Sequence, residues 1–271
     1  MEVDWESKLK DYSKEKLLSL RNNALSAMYA EPDSPKGRKA SELLDFIDAE
    51  FYQRSLPGSI DFFLEKFPKG FDDPEYLREE RDYKLAASRE VNVVLTEEAF
   101  AAAKADPAPL IQEVKRLVNM TNLINASFEK TKLFDAIQDP KNSAPFLVEL
   151  HQLIHGAGAG PVRIERFADF LHTLGPSMRK WTYASYFLFL SDPSAYIFVK
   201  PEGIKKAIEI SGFMLAYDPA PTAATYMQIL AFGRWIDAGL RKRGDERLYP
   251  KDMIDTQSFI WVMAPTGKFE R

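Results

Sequence analysis

Residues 110–128 read LIQEVKRLVNMTNLINASF, and this stretch decides the fold class. Leu110, Val114, Leu117, Thr121, Ile124 and Phe128 recur at spacings of three and four, the period of a helix with one buried face. The spacing predicts a single helix with Leu110, Val114, Leu117 and Ile124 packed into a core. The same period recurs on both sides of it along most of the chain, while strand signals are few and short.

Toward the N-terminus, Leu9, Tyr12, Leu17, Leu18 and Leu20 mark a helical segment that runs out before EPDSPKG (31–37). Leu43, Leu44, Phe46, Ile47 and Phe51 mark the next, which SLPG (55–58) is expected to end, with Ser59 capping a short IDFFLEKF helix. Asp73 before Pro74 opens another helix, because proline suits a first helical turn. VNVVL (91–95) is the best strand candidate, after which Thr96 caps EEAFAAAKA.

Toward the C-terminus, DPKNSAP (139–145) interrupts the pattern, and FLVELHQLIH (146–155) resumes it as far as the glycines. Helical segments follow around RIERFADFLHTL, WTYASYFLFL, IKKAIEISGFML, TAATYMQILAFGRWIDAGLRKRG and KDMIDTQSFIWVMA, with YIFV (196–199) strand-like among them. The expected architecture is mainly α: a multi-helix globular domain with at most a few short strands. Residues 1–139 form an acidic helical region and residues 140–271 a helical region with a basic cluster, packed as one unit.

Composition narrows the function classes. The chain has 271 residues, of which 45% are hydrophobic, enough to bury a core. The absence of cysteine excludes disulfides, thiolate metal sites and a cysteine nucleophile. The charged start MEVDWESKLKDYSKEK lacks an apolar signal core, and no run approaches the roughly 18–20 apolar residues of a membrane helix. A cytoplasmic chain without membrane contact is expected. The net charge of −4 hides an asymmetry, since residues 161–271 carry 15 Lys/Arg against 12 Asp/Glu and the remainder 21 against 28. A partner-facing basic surface in the C-terminal part would produce that imbalance.

The candidate chemistry is sparse. In ELHQLIHGAGAGP (149–161), His151 and His155 share a helix face and could chelate a metal. The position after the first histidine is Gln152, where a zinc protease has its glutamate, so packed or surface histidines fit better. GAGAG follows a helix and lacks dinucleotide-loop spacing, which leaves Gly156 as a left-handed helix terminator and the rest as connector. Gly267-Lys268 in APTGKF lacks the Walker glycine and Ser/Thr. Asp252 and Asp255 lie one turn apart and could hold a metal between them. Capping by Asp252 and a buried polar contact by Asp255 suit them better. No cofactor is expected.

Arg234, Arg241, Lys242, Arg243 and Arg247 gather at the end of one long helical segment, and Arg179, Lys180 and Trp181 add charge beside an aromatic. Cations near a helix C-terminus are favoured whatever the function. Lys/Arg interleaved with aromatics is also the pattern of a phosphate-contacting surface, so these eight residues are the candidate nucleic-acid site.

Three segments carry a family resemblance. NLINASFEKTKLFDAI, KWTYASYFLFLSDPSAYIFVKPEGIKKA and DMIDTQSFIWVM occur in an order that resembles the N-terminal helical regions of McrB-like AAA+ restriction proteins and their stand-alone bacterial relatives. The resemblance covers roughly residues 122–263 and rests on Trp181, Ser185, Asp192, Pro193, Lys200, Pro201, Asp255, Gln257, Ser258 and Trp261. It implies a non-enzymatic recognition or adaptor component of a prokaryotic anti-phage or restriction-type defence system. The implied partners are DNA and an AAA+ ATPase or nuclease. No catalytic role is carried over to any of the ten residues, whose chemistry suits structure, with Pro193 and Pro201 starting helices. The alternative is a metal-dependent nuclease or hydrolase using His151/His155 or Asp252/Asp255.

Overall fold

The computed structural model describes residues 4–213 and 215–264, so Gly267 and Lys268 lie outside the described residues. Among the described residues every regular element is helical and no strand forms. The chain opens with α1 (Trp5–Lys10), α2 (Lys14–Ala30) and the long α3 (Pro35–Lys66). Next, α4 (Pro74–Tyr76) passes through a π-helical turn, Leu77–Arg81, into α5 (Asp82–Val94), followed by α6 (Glu97–Ala102) and α7 (Ala108–Asn119). A second π turn, Ala126–Lys130, opens α8 (Thr131–Gln138). The remainder is α9 (Pro140–His155), α10 (Gly160–Leu174), α11 (Trp181–Ser191), α12 (Pro201–Ser211), α13 (Ala223–Lys242) and α14 (Met253–Met263).

Helix starts follow capping chemistry. Ser34, Asp73, Thr96 and Thr222 each accept a first-turn N–H that the helix itself cannot satisfy. One large core contains buried residues from Leu56 to Ala264, and α11 and α14 run through it. All ten residues from Trp181 to Leu190 are buried, as expected for a helix that is apolar on every side. The division at 139/140 falls at the α8–α9 junction, where Asp139 caps α9, and residues from both sides share this core. Before Leu56 the described residues form two small clusters, Leu9–Leu17–Ile47–Phe51 and Ala24–Ala40–Leu44.

Several boundaries differ from the sequence-based expectation. The helix expected over 110–128 stops at Asn119, while Thr121 and Ile124 are buried beyond its end and Phe128 is 73% exposed. Side chains claim the carbonyls that another turn would need: Tyr186 Oη donates to the Leu117 carbonyl at 3.1 Å, and Lys130 Nζ to that of Thr121 at 2.7 Å. VNVVL is helical, with Val91 buried and Val93 70% exposed. SLPG does not end a helix. α3 passes through Pro57 because Phe51 and Leu56 on one side of it and Ile60 and Phe63 on the other are all buried, and Ser59 is buried mid-helix. α9 likewise starts at Pro140 and runs through Pro145. Gly156 is extended at φ −62°, and the left-handed residue is Gly158. Pro201 does start α12, whereas Pro193 sits in a turn and its carbonyl accepts the Met253 N–H at 2.8 Å.

YIFV forms no regular element and pairs with no strand among the described residues. Ile197, Phe198 and Val199 are fully buried, so their backbone groups need partners. Tyr226 Oη accepts the Ile197 N–H at 3.1 Å and donates to the Ile197 carbonyl at 2.9 Å. Ser185 Oγ accepts the Val199 N–H at 3.0 Å.

Candidate functional site: an ionic network sealed in the core

Four side chains from residues 76–84 and four from residues 252–258 meet in the core. In a regular α-helix residues four apart stack, but a π turn closes on the fifth residue. The turn Leu77–Arg81 therefore lets two sequence neighbours, Glu80 and Arg81, both face inward, and both are buried. Opposite them, α14 presents Asp255, Thr256, Gln257 and Ser258, four consecutive buried polar residues.

The contacts form two linked groups. Arg81 Nη1 donates to Asp255 Oδ1 at 2.6 Å and to Asp252 Oδ1 at 2.9 Å, while its Nη2 donates to Asp252 Oδ2 at 2.8 Å. Asp255 also accepts from Tyr76 Oη at 2.6 Å and from the Lys251 N–H at 2.8 Å. Alongside, Lys84 Nζ donates to Glu80 Oε2 at 3.1 Å and to Gln257 Oε1 and Ser258 Oγ at 2.8 Å each. All three ammonium hydrogens are thus satisfied. The Tyr76 ring lies against Phe63, Phe67 and Phe71, which joins the network to the aromatic end of α3.

Burial sets the electrostatics. It lowers the Lys84 pKa, against the opposing pull of Glu80. It raises that of Asp255, against the hydrogen bonds from Tyr76 and Lys251. For Arg81 burial also disfavours the charge, but the hydrogen bonds and charges of Asp252 and Asp255 prevail and its pKa rises. Desolvating this many charges is tolerable only because each has a partner and the spare donors are used. At the edge, Lys200 Nζ lies over the Trp261 ring, 4.1 Å from its centroid, and burial lowers its pKa.

The predicted site residues have separate fates. Asp252 caps α14 through the N–H groups of Ile254 and Asp255, and Asp255 is fully buried. The cation between the two aspartates is the Arg81 guanidinium. His151 and His155 do share a face of α9, but they reach different partners: His151 Nε2 meets Glu97 Oε2 at 2.5 Å, and His155 Nε2 meets the Leu95 carbonyl at 2.7 Å. Both rings pack edge-on against Phe100, at a cleft of about 470 Å³ between α6 and α9. Among the described residues no group of three or more His, Asp or Glu side chains is arranged to hold a metal.

Of the eight predicted nucleic-acid residues, Trp181 needs correction. Its ring is buried against Tyr226 and its Nε1 donates to the Asp218 carbonyl at 3.0 Å, so no base can stack on it. The ring sits there because α11 is buried on all sides. Arg179 pairs with Asp169 at 2.7 Å and Lys180 with Glu129 at 3.2 Å. Arg234, Arg241, Lys242, Arg243 and Arg247 are exposed. Arg241 pairs with Asp237, Arg243 with Asp61 of α3, and Arg247 with Asp245 and the Pro68 carbonyl. Nearby, Lys251 pairs with Asp72. The acidic N-terminal region thus faces the basic cluster. Gly70 makes the close approach possible at φ +60°, where a Cβ would stand 2.1 Å from the Arg247 carbonyl oxygen.

Sequence reading missed Tyr76, Glu80, Arg81 and Lys84. The signal lies in α14: a helix so apolar that carries Asp255, Gln257 and Ser258 requires charged or polar partners elsewhere. No helix among the described residues is long and apolar enough to cross a membrane. Comparison with protein families, curated proteins and solved structures finds no match to the chain.

Proposed function

We propose that the chain is a non-enzymatic recognition or adaptor component of a prokaryotic anti-phage or restriction-type defence system, and that it engages a protein partner. One observation carries the choice of a protein over DNA. Five of the seven predicted phosphate-contacting cations, Arg179, Lys180, Arg241, Arg243 and Arg247, are already paired with the chain's own carboxylates. Binding a polyanion would require those pairs to open, and fewer released counterions would drive it. The family resemblance supports the adaptor role. Its residues Trp181, Ser185, Asp255, Gln257 and Ser258 are buried and hold the fold together.

The test is a phage challenge of a bacterial host carrying the gene with its flanking genes, compared with the same locus lacking this gene. Protection that disappears on deletion is expected, and equal plating of every phage on both strains overturns the reading. A gel-shift titration at low salt decides the mode. Little or no shift with duplex or single-stranded DNA is expected. Tight binding that falls steeply with salt would return the choice to nucleic acid.

A further inference from the structure

We infer that the cleft between α6 and α9 binds a small apolar monocarboxylate, its head at Lys104 and its tail directed toward His151. The two helices run antiparallel along the cleft: His151 Nε2 reaches Glu97, and His155 Nε2, one turn later in α9, reaches back to the Leu95 carbonyl. Each helix turns one face to the space. α6 supplies Glu97, Phe100, Ala101 and Lys104 beside its end, and α9 supplies Ala144, Leu147, Val148 and His151. Spacings of three and four place each set on one side of its helix.

The side chains explain why the space exists. Phe100, Ala103 and Leu147 are buried and form its floor. Ala101 and Ala144, both exposed, offer one methyl each to the walls, and Val148 is 53% exposed beside them. Short apolar side chains there leave about 470 Å³ open to solvent, within the roughly 300–1,000 Å³ of small-molecule sites. An apolar tail laid on these walls would take its own surface and theirs out of water, which is the driving force for binding.

Charge gives the ligand its class and its direction. The Glu97 carboxyl is held below its usual range, first by the His151 hydrogen bond and in smaller part by the charges of His151, His155 and Lys104. An ionised carboxylate only accepts, so His151 donates from Nε2 and the pair is closed on itself. Seven residues along α6, about 10.5 Å away at 1.5 Å per residue, stands Lys104. Lys104 is exposed, and its ammonium has no hydrogen bond or ion pair among the described residues. An anion can therefore meet it without opening an existing pair, unlike the paired cations of the predicted nucleic-acid site. A carboxylate placed at the opposite end would meet Glu97 instead, so the head belongs at Lys104.

The three histidines make the test specific, because His151 lines the cleft while His172 lies on α10, outside it. Octanoate is expected to shift the C2 proton resonance of His151 saturably and to leave that of His172 in place. Octanol, its uncharged counterpart, is expected to bind about three- to fivefold more weakly, the effect of one exposed ion pair. Lys104→Gln should equalise the two affinities, and Ala144→Phe, which fills the cleft from an exposed position, should remove both. Val148→Trp repeats the filling should Ala144→Phe lose its helical circular dichroism. The absence of a saturable His151 shift with either probe overturns the site. A shift that survives the filling variants puts the probe elsewhere and overturns it equally. Equal affinity for octanoate and octanol in the unmodified chain overturns the carboxylate. The measurement uses the purified chain alone, so its outcome is independent of the proposed function.

Discussion

Two arginines in this molecule fork onto aspartates with nearly the same chemistry and in opposite settings. Arg21 of α2 meets Asp48 of α3 through two hydrogen bonds of 2.7 and 3.2 Å, and the Asp48 side chain keeps 34% of its surface in solvent. Arg81 of the first π turn meets Asp252 and Asp255, the second of them fully buried, amid Tyr76, Lys251 and the adjoining Lys84 group. The pairing distances are similar in the two places, but the alternative to pairing is not. Asp48 can turn to water. Asp255 is fully buried and cannot turn to water, so α14 depends on its network in a way α2 does not depend on its own fork.

That contrast can be broken by substitution. Asp255→Ala, which strands the Tyr76 hydroxyl and one Arg81 bond, is expected to cost about 3–5 kcal/mol of stability in urea denaturation. A loss below about 1 kcal/mol would place the buried network on the same footing as a surface pair.

The pH dependence sharpens the point. Burial lowers the Lys84 pKa below its ordinary 10.5. Between the folded and unfolded values the unfolded chain holds more protons, so stability rises with pH through that window. Lys84→Met should flatten the rise by up to about 1.4 kcal/mol per pH unit, measured as the difference between the two proteins' denaturation curves as the pH approaches 10.5 from below.

In α2, Arg21→Ala is expected to cost on the order of 1 kcal/mol. Hydrogen exchange should register it in α2 and the first half of α3, with α14 unaffected. Arg243→Ala removes an exposed pair to Asp61 at 3.5 Å and should leave the denaturation midpoint unchanged within error.

How far the sequence revealed this molecule depended on whether the relevant physics was local. Helical period and capping residues were local, and the mainly α class followed from them. Asp73, Thr96 and Asp252 cap where the sequence put them. Helix lengths were not local. In the sequence Pro57 and Pro145 look like stops because their backbone chemistry is visible there, while the burial on both sides of them is not. The core network was half legible. DTQS in an apolar helix announced a polar requirement, but Glu80, Arg81 and Lys84 lie among charged neighbours that look solvated. Only a π turn, invisible to a 3.6-residue period, brings two adjacent charges inward.

The clamp on YIFV has a consequence outside the native state. A short run of aromatic and β-branched residues without charge or proline is the kind of segment that seeds cross-β aggregation when exposed. Most proteins hide such a run inside a sheet, where its free edge remains a template for a neighbouring chain. Here hydroxyl groups from two helices, Tyr226 and Ser185, take the backbone positions that another strand would use. A side chain cannot propagate a ladder. Any refolding intermediate that forms α11 and α13 first therefore meets the hazardous segment with a termination device already in place.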